Sequence, residues 1–297
     1  IAARSVAIHY ISHPILEVVR DSQGKVSSFS ASSPGAGKGI SDAERVSIIQ
    51  FALDRFANPD GGADLKAKLG RILSHVKHAN FDFEAMRERA DRAIATLRAE
   101  ETRAGEANKA LVSESAALLE WLRDDNFIFL GSREYTVSGG EGTELLSRVE
   151  DKGLGILADP DVSILGRHGQ PATTTPEIRA FLKAPQPLIV TKANARTDVH
   201  RRAYMDYVGV KRYDEAGQLA GETRFVGLFT STAYTRSILS IPYLRLKAET
   251  VIARSGFRPD SHSGKALLNA LAPVLSTAFH TATGVVLDAR PGEIHLG

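Results

Sequence analysis

The sequence predicts an α+β fold, in which antiparallel sheets are combined with helices. Two extended segments, residues 207–213 and 222–230, are rich in aromatic and β-branched residues and flank a turn with two glycines. This pattern predicts a β-hairpin. Residues 81–103 carry an apolar stripe at helical spacing, which predicts a long helix. Strands, turns and short helical pieces then follow one another, and this order predicts an antiparallel sheet with helices on one face.

The first part of the chain predicts a small α+β module. Its strands break at His13-Pro14, because proline has no backbone N–H to donate within a sheet. Asp64 is placed to cap a helix whose apolar residues lie on one face. The predicted elements are strands at residues 6–10, 15–20, 26–29 and 46–54, a turn at residues 21–25, and a helix that begins at Asp64.

The remaining elements follow from periodicity and from turn residues. Gly105 ends the long helix, and Pro176 and Pro242 stand where proline opens a helix. The predicted helices are residues 81–103, 106–124, 176–182, 241–254 and 265–279. The predicted strands are residues 127–137, 145–149 and 188–192, the two hairpin strands and residues 293–296. A short apolar segment covers residues 153–157. Turns or loops cover residues 138–142 and 166–176.

Composition limits the possible functions. The 297 residues are 43% hydrophobic and 24% charged, which is ordinary for a soluble globular protein of two or three domains. The absence of cysteine excludes disulfides, thiolate catalysis and cysteine-bound zinc. A net charge of +2 does not favour nucleic acid as a partner, and no apolar run is long enough to predict a membrane span. We therefore expect a cytoplasmic protein, and the first residue, Ile1, suggests a segment of a longer chain.

The hairpin region carries the densest charge of the sequence. Guanidinium and ammonium groups suit a carboxylate or a phosphate, so these residues are candidates for binding an acidic effector. The alternative is that they pair within the chain, since acidic residues are interleaved with them, and the count of charges favours this alternative. The candidates are Lys192, Arg196, His200, Arg201, Lys211 and Arg224. The interleaved acidic residues are Asp198, Asp206, Asp214 and Glu222.

Other motifs give little support to catalysis or to metal binding. The pairs His9/His13 and His75/His78 lack the further ligands that zinc requires. The glycine-rich stretch at residues 31–39 has neither the spacing nor the Ser or Thr of a phosphate loop. Ser255, Ser261, Ser263 and His262 lie near Asp260 on one predicted loop, without the strand–turn–helix context of a nucleophile. Aromatic residues among the hairpin cations also resemble a single-strand nucleic-acid platform, but on strands they more often form a core.

Several strings of the sequence resemble the amino-terminal half of the large bacterial NAD-specific glutamate dehydrogenases. They include TKAN and VHR at residues 191–201, YVGVK at residues 207–211, RF and GLFTS at residues 224–231, and SGF and GKAL at residues 255–267. The resemblance covers residues 118–267 and, more weakly, residues 13–93. It implies an ACT-like module at residues 1–80, a helical connector at 81–106, a PAS-type sensor-like domain at 107–254, and the start of a further ACT-like module at 255–297.

The resemblance also implies a function. The chain would be a regulatory or assembly segment, while the parent enzyme converts L-glutamate and NAD to 2-oxoglutarate, ammonium and NADH in another domain. No cofactor is then expected in this chain, whereas NAD would bind the catalytic domain of the parent. The implied partners are that catalytic domain, neighbouring copies in a homo-oligomer and a small-molecule effector such as an amino acid. The alternative is a structural oligomerisation module without a ligand.

Overall fold

The computed structural model describes residues 6–31, 43–56, 60–138, 145–149, 152–162, 164, 180 and 182–281. The chain divides into two compact units, Ile1–Arg71 and Ile72–Gly297. Both combine helices with antiparallel sheets, as the α+β prediction requires. Five predictions lie largely or wholly outside the described residues: the glycine-rich stretch, the turn at residues 138–142, the loop at residues 166–176, the helix at residues 176–182 and the strand at residues 293–296.

The first unit contains two small antiparallel sheets. Strand β2 is central in one sheet, with the order β3-β2-β4, and β1 pairs with β5 in the other. The strands are β1 (Ile8–Ser12), β2 (Ile15–Arg20), β3 (Val26–Ala31), β4 (Glu44–Ser47) and β5 (Gln50–Leu53). The turn between β2 and β3 occurs as predicted: Gly24 adopts φ +77°, and Asp21 Oδ1 accepts hydrogen bonds from the amides of Gln23 and Lys25.

The single strand predicted at residues 46–54 is wrong. It forms two strands, β4 and β5, which belong to different sheets. The reason lies in their partners, because β1 and β2 are themselves separated at His13 and Pro14. Opposite this break the amide of Ile48 donates to the carbonyl of Pro14, and the chain passes from one sheet to the other.

Three helices precede the large sheet: α1 (Gly61–Phe81), α2 (Phe83–Arg103) and α3 (Glu106–Trp121). The predicted apolar stripe of α2 is confirmed, since Met86, Ala90, Ala93, Ile94 and Leu97 are buried. Helix α3 ends earlier than predicted and continues as a π-helical turn, Leu122–Asn126. There the side-chain amide of Asn126 donates to the carbonyls of Trp121 and Asp124, which satisfies acceptors at the helix end.

The large sheet has the strand order β7-β6-β11-β10-β9, with the short β8 also on β6, and every pairing is antiparallel. Its strands are β6 (Phe127–Ser138), β7 (Leu145–Arg148), β8 (Leu154–Gly155), β9 (Leu188–Thr197), β10 (Ala203–Tyr213) and β11 (Leu219–Phe229). One face packs against α2 and α3 through residues such as Val208 and Phe225. The opposite face carries a second core that includes Tyr207 and Val226. We call the face that packs against α2 and α3 the helix face, and the opposite face the open-side face.

The predicted hairpin is formed by β10 and β11, and its turn is shorter than predicted. Its turn is Asp214–Gln218 rather than residues 214–221, and of the two glycines only Gly217 has a positive φ, +77°. Gly221 lies within β11, where a β-carbon would overlap the carbonyl oxygen of Tyr135. Strand β9 also runs five residues further than predicted and forms a second hairpin with β10.

Helices follow the last strand: α4 (Ser231–Thr235), α5 (Leu244–Ser255) and α6 (His262–Thr281). Helix α5 begins after Tyr243, which has φ +66°, so Pro242 precedes the helix instead of opening it. Gly256 ends α5 in the left-handed conformation that favours glycine. Leu244 and Ala248 of α5 join the core on the helix face of the sheet.

Candidate functional site

A network of buried polar side chains occupies the open-side face of the sheet. At its centre is Glu222, which is fully buried. Its Oε1 accepts a hydrogen bond from the hydroxyl of Tyr207. Its Oε2 accepts two from the guanidinium of Arg224, at 3.0 and 2.9 Å. Strand pairing explains this convergence, because Lys211 stands opposite Glu222 and Glu222 stands opposite Tyr135 in the register of the sheet.

The guanidinium of Arg224 is held by aromatic rings as well as by the carboxylate. It lies 3.8 Å from the ring centroid of Tyr135 and 5.6 Å from that of Tyr207. Burial by itself would lower the pKa of Arg224, but the neighbouring Tyr207 and Glu222 reverse this effect and raise it. The group therefore remains charged. For Tyr207 burial raises the pKa well above its usual range, so its hydroxyl stays protonated and donates to Glu222.

Two further cations are buried on the same face. Lys211 donates from Nζ to the carbonyl of Ala184, and burial lowers its pKa to about 8 against the opposing attraction of Glu222. Arg133 donates to the carbonyl of Leu157, and burial also lowers its pKa. Three buried cations thus meet one buried carboxylate among the described residues of this face. Such an excess of positive charge suits an acidic ligand.

The other candidate cations lie elsewhere. Lys192 pairs with Asp206 on the helix face, and burial raises the pKa of that carboxyl against the attraction of Lys192. Arg201 donates to the carbonyl of Phe229, 3.0 Å away. The structure therefore divides the six candidates, since consecutive residues of a strand point to opposite faces.

Arg196 and His200 belong to the exposed end of the β9–β10 hairpin. The guanidinium of Arg196 lies 4.4 Å from the ring centroid of Tyr204, which is half exposed. His200 is exposed and adopts φ +65° in the connection between the strands. Nearby, Arg202 forms an ion pair with Asp198 at 3.7 Å. These contacts are at the surface, so they contribute little to stability.

The interleaved acidic residues also have assigned partners. Asp206 and Glu222 bind cations of the candidate set, Asp198 binds Arg202, and Asp214 accepts a hydrogen bond from the amide of Gln218 in the hairpin turn. The interpretation that much of this charge is paired within the chain therefore has direct structural support.

The histidine and serine groups form separate local contacts. His9 lies 2.6 Å from Asp54, His13 lies 2.6 Å from Ser47, and His75 lies 3.1 Å from Asp159. His262 begins helix α6 rather than lying on a loop. Within the described ranges, no group of three or more potential ligands is arranged for a metal ion. Those same ranges also contain no helix long and apolar enough to cross a membrane.

Two family models match this chain. Residues 1–69 match the glutamate dehydrogenase ACT1 domain, and residues 241–273 match the glutamate dehydrogenase helical motif 1. The chain is also 34% identical over 280 residues to the NAD-specific glutamate dehydrogenase of Halomonas elongata, and 30% identical over 274 residues to that of Pseudomonas aeruginosa. The resemblance to the NAD-specific glutamate dehydrogenases is confirmed. These matches are consistent with the amino-terminal region of the large enzyme.

These matches cover most of this chain but only a small part of each relative. Each covers 90% of this chain but only 16% of the relative. A similar protein from Mycobacterium tuberculosis is 24% identical over 274 residues, which is 91% of this chain and 15% of that enzyme. The chain therefore spans about a sixth of the NAD-specific glutamate dehydrogenases that it matches.

The segment that matches helical motif 1 contains Tyr243, which is fixed to helix α3. Its backbone amide donates to Glu114 at 2.8 Å, and its hydroxyl lies 2.6 Å from the hydroxyl of Ser115. Glu114 also binds the guanidinium of Arg245, with a shortest distance of 2.6 Å. These contacts hold the unusual positive φ of Tyr243 and fix the start of α5.

Sequence reasoning missed a group on the helix face of the sheet. It consists of Arg89 from α2, Glu134 from β6 and Arg212 from β10. Arg89 is buried and donates to Ser132 and to the carbonyl of Lys152. A signal was present, because an arginine in the apolar stripe of an amphipathic helix is an exception to the pattern.

Proposed function

We propose that this chain is a regulatory and assembly segment of a large NAD-dependent glutamate dehydrogenase and that it is not catalytic by itself. The observation that carries the proposal is the match of 90% of the chain to enzymes of which it spans only 16%. The parent would oxidise L-glutamate with NAD to 2-oxoglutarate and ammonium, and NAD would bind its catalytic domain. The ACT1 match supports regulation, because it assigns residues 1–69 to a regulatory type of domain.

Within this proposal, the domains are an ACT-like module at residues 1–80, a helical connector at 81–106, a PAS-type sensor-like domain at 107–254 and the beginning of another ACT-like module at 255–297. The antiparallel sheet with helices on one face supports the sensor-like assignment. The partners would be the catalytic domain and neighbouring copies of the same enzyme, in the cytoplasm.

The proposed effector is a small acidic metabolite such as an amino acid. Lys211 and Arg224 are the strongest of the six candidates, since they share the open-side face with Arg133 and only one buried carboxylate among the described residues. Lys192 lies on the helix face, and Arg196, His200 and Arg201 lie at or near the β9–β10 connection, so these four would not contact a ligand held by Lys211 and Arg224. An effector can regulate the parent only if it binds two of its states unequally.

Titration calorimetry on the 297-residue chain tests the sensing role. Amino acids and 2-oxo acids are expected to give saturable heat, and Lys211→Met is expected to weaken it, whereas Arg202→Gln, at an exposed ion pair, is the matched control. No glutamate-dependent reduction of NAD is expected from the chain alone. Turnover by the chain would overturn the non-catalytic assignment.

A structural oligomerisation module is the second candidate, and the internal pairing of the charges favours it. Glu222, Asp206 and Asp198 each bind a cation of the same chain, so that part of the charge is already neutralised. Analytical ultracentrifugation decides between the two functions. Concentration-dependent self-association without any heat of ligand binding would establish the structural role and exclude the sensing role.

A further inference from the structure

In the group formed by Arg89, Glu134 and Arg212, the guanidinium groups donate to Ser132, Lys152 and Tyr135 but make no close hydrogen bond to the Glu134 carboxylate. The Nε of Arg89 lies 3.5 Å from one oxygen of Glu134, and the Nη1 of Arg212 lies 3.5 Å from the other. A hydrogen-bonded guanidinium–carboxylate pair is closer, at about 2.8 Å. The Nε atoms of both arginines are buried and have no hydrogen-bond partner in the described part of the chain. Two charged donors are thus left without an acceptor.

The charge around this group is also unbalanced. The groups that influence Arg89 are the carboxylates of Glu134 and Asp82 and the guanidinium groups of Arg92 and Arg212. Among these groups, with Arg89 included, three guanidinium groups stand against two carboxylates. Asp82 is already used, since its Oδ2 accepts a hydrogen bond from the amide of Gly155 at 2.7 Å. An anion is the kind of partner that could bind such a group.

The group is accessible from one side. The side chain of Arg89 is only 6% exposed and forms the floor, while those of Glu134 and Arg212 are 20% and 32% exposed. Arg92, one turn further along α2, is exposed. An anion approaching from this side would meet Arg212 and Arg92 first, and it would also meet the carboxylate of Glu134. A ligand that carries an ammonium group beside its carboxylate turns that repulsion into attraction.

We propose that Arg89, Arg92, Glu134 and Arg212 form a binding site for a free α-amino acid, with the ligand carboxylate on Arg92 and Arg212 and its ammonium on Glu134. Arg212 and Arg92 bind the carboxylate, and Arg89 positions Glu134 from below. The site lies on the helix face of the sheet, opposite Lys211 and Arg224, and it contains none of the six candidates. Its regulatory meaning rests on the proposed function, but its existence does not.

The test compares L-glutamate with glutarate, which has the same two carboxylates and no ammonium, and with inorganic phosphate. In the ¹⁵N-labelled 297-residue chain, L-glutamate is expected to shift the Nε–H resonances of Arg89 and Arg212 and to bind about tenfold or more tightly than glutarate. Glu134→Gln is expected to abolish this preference, because the charge that selects the ammonium is lost. Equal affinities in the unaltered chain would overturn the proposal.

Variants at the arginines complete the test. Arg212→Gln is expected to weaken the binding of L-glutamate about tenfold or more. If Arg212→Gln does not fold, Arg212→Lys replaces it, because lysine retains the charge without the paired donors of the guanidinium group. The exposed Arg202→Gln is the matched control. Loss of binding in Lys211→Met but not in the Arg212 variants would contradict this site and preserve the sensing role. Loss of L-glutamate binding in the Arg212 variants, while the same substitutions leave the kinetics of the parent enzyme unchanged, would support this site and contradict the sensing role.

Discussion

The backbone of Gly209 faces Glu222 so closely that a β-carbon at this glycine would overlap Oε1 of the carboxylate, and it would also stand 2.9 Å from the hydroxyl of Tyr207. The missing side chain of one strand therefore provides the space for the buried network of the next. Gly209 is not needed for a positive φ, because its neighbours in β10 are extended. Its role is close packing against Glu222.

Gly209→Ala is expected to destabilise the protein by about 1–3 kcal/mol, since the added methyl group must displace Glu222 or Tyr207 from a packed position. Gly105→Ser is the matched control, because Gly105 precedes α3 with φ −62° and has nothing near its missing β-carbon. Urea unfolding monitored through Trp121 measures both free energies of unfolding. Similar losses in the two variants would contradict the packing argument.

Glu222→Gln is expected to cost about 3–5 kcal/mol of unfolding free energy, because it leaves Arg224 buried without its carboxylate. Asp198→Asn removes a carboxylate from the exposed pair with Arg202, and we expect a change within about 0.5 kcal/mol. The comparison uses the same chemical substitution in buried and exposed surroundings. If the two variants were equally stable, the network would be structurally unimportant.

Because Lys211 is buried, we expect the free energy of unfolding to rise at alkaline pH. Burial lowers its folded-state pKa to about 8, below its ordinary value of 10.5. Between these values the unfolded chain binds more protons than the folded chain, so the free energy of unfolding increases with pH, by at most about 3 kcal/mol. Below pH 8 the full cost of burying the charge is present.

Lys211→Met tests this dependence, because methionine is similar in shape and does not titrate. We expect the variant to lose the increase between pH 8 and pH 10 and to be more stable than the unaltered chain near pH 7. Unfolding curves at several pH values measure the difference. Parallel pH profiles for the two proteins would show that Lys211 is not the group responsible.

The Glu114 contacts predict local opening of helix α5. Glu114→Ala removes the acceptor for the amide of Tyr243 and for the guanidinium of Arg245, so amides at the start of α5 are expected to exchange hydrogen about tenfold or more faster. Glu106→Ala, whose side chain is 95% exposed at the start of α3, is the control. Hydrogen-exchange mass spectrometry measures both. Unchanged protection in Glu114→Ala would mean that packing alone holds α5.

The sequence predicted the elements whose signals are local. The apolar stripe of α2, the turns at Asp21 and Asp214, and the strands beside them depend on periodicity or on the conformations of a few residues. The predictions failed where the neighbouring strand in the sheet determines the length of a strand. The strand at residues 46–54 divides because of a break in the strands that it pairs with, and β9 extends to Thr197 because β10 continues its ladder.

The candidate site shows the same division. The cations and acids of the hairpin were visible as types of residue, but their partners follow from register and from the face of the sheet. Lys192 and Lys211 were grouped by their charge. The structure places Lys192 on the helix face beside Asp206, and Lys211 on the open-side face opposite Glu222. Arg89 joins Glu134 and Arg212 only through the packing of α2 on the sheet.

The sequence by itself determined the α+β class, the absence of cysteine chemistry and the resemblance to NAD-specific glutamate dehydrogenases, because these depend on composition, on local periodicity and on the order of residues. Tertiary structure alone decided which charges are buried and which groups share them. The physical reason is that a side chain in a strand gains or loses a partner with each shift of one residue in register, and the register is set by long-range pairing and β-bulges that no local pattern specifies.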